Sequence, residues 1–152
     1  MYTIIMNSDK SLSKTIETTL YQGENLVDKI KFLIPKTYGE SDLSAFTVWL
    51  VYLDGGNVRR SEKLVLSDPN YKDSMLCYYV PVNSTLTKFA GNIKIHLTLS
   101  GDSTQLLHSG DANIYIAPVD PCYHKVVVSP DSSGGNSGEN SGDEEGFYVV
   151  EF

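Results

Sequence analysis

Apolar and polar residues alternate along the chain in short, evenly spaced stretches separated by turn clusters, and this period of two predicts strands. Tyr2 to Met6 sets Tyr2, Ile4 and Met6 on one side. Leu12 to Tyr21 alternates again, with Ile16, Thr18 and Leu20 facing one way, and its threonines favour strand over helix because β-branching stiffens χ1. Leu26 to Ile34 is the next strand, with Ile30, Phe32 and Ile34 inward, Lys29 and Lys31 outward, and Pro35 ending the ladder. The strongest signal is Phe46 to Leu53, a run of β-branched, aromatic and aliphatic side chains. Asp54-Gly55-Gly56-Asn57 follows as a turn and Val58 to Leu66 returns, which predicts a β-hairpin over 46–66.

Ser67-Asp68-Pro69-Asn70 reads as a second turn, and Met75 to Val80 as a strand closed by Pro81. Residues 83–91 fit one helical turn, with Ser84 as cap, Leu86 and Phe89 three apart, and Gly91 as terminator. Ile93 to Leu99 alternates cleanly, with Ile93, Ile95, Leu97 and Leu99 inward. Gln105 to His108 returns, and a last strand over 111–117 places Ala112, Ile114 and Ile116 on one face. Many short strands, regular turns and no long helix predict an all-β chain: an antiparallel two-sheet β-sandwich, jelly-roll or Ig-like, with a closed barrel as the alternative.

The pattern breaks at Ser129. Residues 129–146 have no apolar side chain beyond Pro130 and read as a flexible acidic Gly/Ser linker. Residues 147–152 are again strand-forming. The expected organisation is a sandwich domain over 1–128, the linker, and a docking strand in which Phe147, Tyr148, Val149, Val150 and Phe152 meet a partner by strand addition.

Charge sharpens this division. Six of the 19 acids lie from Ser129 onward with no Lys or Arg, whereas 13 acids and 12 bases precede it. The domain is near neutral, so no basic footprint for nucleic acid is present, and Arg59-Arg60 reads as a solvated strand face. The first residues carry no basic start and only a short apolar run, so no signal peptide and no membrane partner are expected. Cys77 sits in an apolar run and is expected to be buried. Cys122 follows a proline, and two cysteines do not make a disulfide framework.

Candidate chemistry is sparse. His96, His108 and His124 have no metal-ligand spacing, and His96 faces outward from its strand. No nucleophile elbow, phosphate loop or calcium loop occurs, and Asp143-Glu144-Glu145 lies in the linker. No catalytic residue, cofactor or metal is assigned, and an enzyme is not expected. A carbohydrate-binding sandwich is the alternative, with Trp49, Tyr52, Tyr78 and Tyr79 as candidate aromatics. Trp49, Val51 and Leu53 form one apolar phase, which predicts that Trp49 is buried.

Several short motifs are architectural. Ile34-Pro35-Lys36 precedes a Tyr-Gly corner, and Asp42-Leu43-Ser44 opens a long strand. Tyr71-Lys72-Asp73, Pro81-Val82, Leu86-Thr87 and Phe89-Ala90-Gly91 follow. Over residues 15–118 this run resembles the N-terminal domain of the baseplate upper protein of tailed phages of Gram-positive bacteria. The resemblance implies a non-enzymatic virion protein, made in the host bacterial cytoplasm, with other phage structural proteins and further copies of itself as partners. After the sandwich this chain has the linker and terminal strand in place of a coiled coil or large receptor-binding domain. That implies a baseplate or tail adaptor, a head fibre or a capsid decoration rather than a receptor binder.

Overall fold

A computed structural model of the chain describes residues 1–119. The expected linker, the docking residues Phe147–Phe152, Cys122 and His124 lie outside the described residues. Met1–Ala117 is one compact unit.

Two sheets share one core. The first contains β1 (Tyr2–Met6), β2 (Leu12–Ile16), β4 (Lys29–Pro35), β9 (Val65–Tyr71) and β10 (Met75–Pro81), in the order β2-β1-β4-β10-β9. The second contains β3 (Leu20–Tyr21), β7 (Thr47–Leu53), β8 (Arg59–Lys63), β11 (Gly91–Ser100), β12 (Leu106–His108) and β13 (Ala112–Ala117). Its order is β3-β13-β11-β7-β8, with β12 also on β11. A minor pair, β5 (Thr37–Tyr38) and β6 (Ser41–Asp42), precedes a single 3-10 turn at Leu43–Ala45. Tyr2, Ile4, Ile30, Phe32, Ile34, Leu76, Tyr78 and Val80 of the first sheet pack with Val48, Leu50, Tyr52, Ile93, Ile95, Leu97, Leu99, Ile114 and Ile116 of the second. The sandwich-like, all-β architecture is therefore as expected, and Cys77 is buried.

Several details differ from expectation. The sheets are mixed rather than wholly antiparallel, because β1 runs parallel to β4 and β13 parallel to β3. Residues 12–21 do not form one strand. The chain breaks at residues 17–19 and changes sheets, so the continuous alternation serves two edges. The returning arm of the hairpin ends at Lys63. Leu64 is buried, donates its N–H to the Val48 carbonyl at 2.9 Å, and passes the chain to the first sheet. Ser67–Asn70 is strand rather than turn. It lies on the outermost strand β9, where Pro69 needs no ladder partner and the register against β10 shifts. The turn comes later, at Lys72 and Asp73, both with positive φ. The single helical turn expected over 83–91 forms, with Thr87 N donating to Asn83 O at 3.2 Å, but Asn83 rather than Ser84 caps it and Gly91 already opens β11.

Trp49 is half-buried on the outward face, and Val48, Leu50 and Tyr52 are the inward set. The strand is apolar on both phases, so its own sequence does not choose the face. Its neighbour does: Leu97 pairs with Leu50 and Thr98 with Trp49, and β11 is unambiguous.

The connections fall at two ends. Loops 22–28, 54–58 and 82–90 lie at one end, and loops 7–11, 36–46, 72–74 and 101–105 at the other.

Candidate interaction surface

The end formed by loops 22–28, 54–58 and 82–90 carries six of the twelve exposed large apolar side chains among the described residues. Tyr21, Leu26, Val27, Leu53, Val58 and Phe89 are all exposed there, whereas Leu106 is the exposed large apolar residue at the opposite end. Val27 is 87% exposed and Leu26 65%.

Loop 54–58 is set by Asp54. Its carboxylate accepts from Gly56 N at 2.9 Å, Val58 N at 3.0 Å and Arg60 Nε at 3.0 Å. The bond from Val58 leads in holding its pKa below the usual carboxylate range, with Arg60 and Gly56 adding to it against burial. Gly55 and Gly56 lie beneath Phe89. A Cβ on Gly55 would come within 2.9 Å of Phe89 Cγ, so the ring seat requires glycine.

Loop 82–90 is anchored by Asn83 rather than by Ser84. Asn83 Oδ1 accepts from Leu86 N at 3.0 Å, and its amide donates to both Glu62 oxygens at 2.9 Å. Glu62 also accepts from the Tyr52 hydroxyl at 2.8 Å. Burial first, then this bond, pushes the Tyr52 pKa up. The central hairpin and loop 82–90 are thus tied through one carboxylate.

Loop 22–28 is braced against loop 82–90. Gly23 N donates to Thr87 O at 3.0 Å, Leu26 N to Val82 O at 2.7 Å, and Thr87 Oγ1 to Glu24 O at 2.7 Å. Ser84 N donates to Asn25 Oδ1 at 2.8 Å. These bonds hold Leu26 at φ 64°, a left-handed conformation that costs a leucine about 1–2 kcal/mol. Beside Val27 lies a cleft of about 300 Å³ lined by Met1, Tyr2, Thr18, Val27, Asp28 and Lys29.

The candidate aromatics do not converge. Tyr52 and Tyr78 are buried in the core. Trp49 and Tyr79 are half-buried on outward faces of different sheets, so the four make no common platform. His96 lies on the outward face, as expected, and its ring meets His108 edge-on with centroids 5.9 Å apart. Asp111 stands 4.0 Å from His96 Nδ1, yet burial dominates and lowers the His96 pKa. Among the described residues no group of three His, Cys, Asp or Glu is placed to hold a metal. Arg59 is exposed, whereas Arg60 pairs with Asp54. Among the described residues no helix is long and apolar enough to cross a membrane.

The apolar end escaped the sequence pattern because Leu26 and Val27 extend the apolar content of the following strand. Their available signal was position: they sit between Asn25 and Asp28, next to Gly23, in turn-forming company.

No protein-family model matches the chain, and no curated protein matches it. Among solved structures, the N-terminal domain of phage TP901-1 ORF48 is similar in fold. The two are 10% identical with a TM-score of 0.41, and the alignment covers 78% of this chain and 98% of that one. A likeness so distant carries nothing about activity or partners.

Proposed function

We propose that the chain is a non-enzymatic structural protein of a tailed-phage or prophage virion, acting by protein–protein assembly. The observation that carries this reading is the concentration of exposed apolar side chains on braced loops at one end of the sandwich. Exposed apolar groups that are gathered, rather than scattered, mark sites where another protein removes them from water. The loops are already fixed by hydrogen bonds, so association costs little ordering entropy. The resemblance of the architectural motifs to those of phage baseplate domains supports the particle as context, with a baseplate or tail adaptor, head fibre or capsid decoration as its proposed place. Phe147, Tyr148, Val149, Val150 and Phe152 give a second attachment, adding a strand to another virion protein.

The test is immunogold electron microscopy of particles purified from the producing bacterium, with antibody raised against the full chain. Labelling at a fixed position on the particle is expected. Unlabelled particles, with the protein left in the soluble fraction, overturn the reading.

A further inference from the structure

We propose that the outward face of the second sheet is a further contact surface and takes an acidic segment of another protein. This rests on the assembly reading and names the chemistry of one partner.

The strand pairings set the side chains of this face in rows. Lys63, Trp49, Thr98 and His108 lie side by side across β8, β7, β11 and β12. Arg59 of β8 pairs with Leu53 of β7, and Lys94 of β11 flanks Leu53 from the other side. Arg59, Lys63 and Lys94 are exposed, and among the described residues none of them makes an ion pair. The acids of the same hairpin are already partnered. Alternation turns Glu62 inward, where Asn83 and the Tyr52 hydroxyl hold it, and Asp54 pairs with Arg60. Asp111 stands against His96 rather than against these cations.

Lysine and arginine on β8 alone would be explained as protection of an edge strand. Lys94 is on β11, an inner strand, so edge protection does not account for it. The spacing suits a chain of negative charges rather than one small anion. Arg59 and Lys63 are four residues apart on one strand, about 13 Å, and Arg59 and Lys94 are two strand spacings apart, about 10 Å. Leu53, exposed, and Trp49, half-buried, lie between them. Tryptophan and arginine are the side chains that protein contacts use most as anchors. Clefts of about 300 Å³ open at the two ends of the sandwich and not on this face, which favours a polypeptide laid across strands over a small molecule held in a pocket.

The experiment titrates the full chain with poly-L-glutamate. Trp49, the single tryptophan, reports on the face by its emission, and calorimetry gives a second readout. Saturable binding is expected, weakening as NaCl rises from about 0.05 to 0.5 M because the exposed charges are screened. Lys63→Glu and Lys94→Glu are each expected to weaken it about tenfold, since a like charge now faces the probe. Lys72→Glu makes the same charge change on the first sheet and is expected to leave binding unaltered, with circular dichroism confirming that all variants fold. No binding by either readout overturns the inference. So does equal weakening by Lys72→Glu, which indicates net charge rather than this face. Tighter binding of oligo(dT) or dextran sulfate at equal charge overturns the acidic protein as partner. Labelled particles without poly-L-glutamate binding overturn this inference alone, whereas unlabelled particles overturn the assembly reading.

Discussion

The two ends of the sandwich are closed by different chemistry. At the end opposite the apolar surface, three loops repeat one local device, Asp-x-Ser or Asp-x-Thr. Asp9 accepts from Ser11 N, Asp42 from Ser44 N and Asp102 from Thr104 N, each at 2.9–3.0 Å, and the paired hydroxyl adds a second bond in each case. Each turn satisfies its own polar groups within three residues and leaves little for a partner. At the apolar end loop 54–58 is also set locally, by Asp54, but the bonds that join loops 22–28 and 82–90 are long-range. Asn83, Glu62, Asn25 and Thr87 join loops far apart in sequence, and the side chains left outside are Leu26, Val27 and Phe89. A protein uses local turns where it meets water. It uses cross-braced loops where it must present apolar groups in a fixed arrangement.

The contrast can be broken by substitution, and the largest effect belongs to the brace. Leu86 is buried and seats loop 82–90 in the core. Leu86→Ala is expected to cost about 2–5 kcal/mol in urea unfolding. Asn83→Ala comes next, at about 1–3 kcal/mol, because it frees Leu86 N and leaves Glu62 with the Tyr52 hydroxyl. Asp102→Ala at the other end should shift the midpoint less than Asn83→Ala, since only one local turn is lost. Equal shifts would mean that the two ends are not held differently.

Acid separates the ends without mutation. Asp9, Asp42 and Asp102 have lowered pKa values, caused chiefly by their bonds to Ser11, Ser44 and Thr104. A carboxylate with a lowered folded pKa contributes stability that is full above its unfolded value near 3.8 and is lost as pH falls through the folded one. Hydrogen exchange at pH 3 against pH 6, corrected for intrinsic rates, should therefore show loops 7–11 and 101–105 opening before the Gly23 and Leu26 amides. Those amides are bonded to the Thr87 and Val82 carbonyls, which do not titrate. The smallest effect is Leu26→Gly. It relieves the left-handed strain, offset by the entropy of the unfolded glycine, and should change stability by a net gain of at most about 1 kcal/mol. A clear loss on thermal unfolding would show that Leu26 is packed rather than presented.

The sequence made the core legible wherever one phase was apolar and the other polar. Ile93, Ile95, Leu97 and Leu99 point inward as their alternation predicts, and so do Tyr2, Ile4 and Met6. It failed where a strand was apolar on both phases, as at Trp49, because only the register with β11 decides the face. It failed also at Pro69, where a residue that ends an inner strand is tolerated on an outer one. The apolar end was the least legible feature. Its residues come from three loops and the strand ends beside them, and the bonds that gather the loops link positions 66 residues apart, as from Gln22 to Lys88. Asp42 was readable, because its bond to Ser44 spans two residues. Local chemistry shows in a sequence; surfaces assembled across it do not.

The most direct test of the proposed assembly surface is hydroxyl-radical footprinting of the chain in purified particles and free in solution. Oxidation of Leu26, Val27 and Phe89 should fall sharply in the particle, while Leu106 at the opposite end stays reactive. Protection of Leu106 with Leu26, Val27 and Phe89 unchanged would contradict the account and move the contact to the other end of the sandwich.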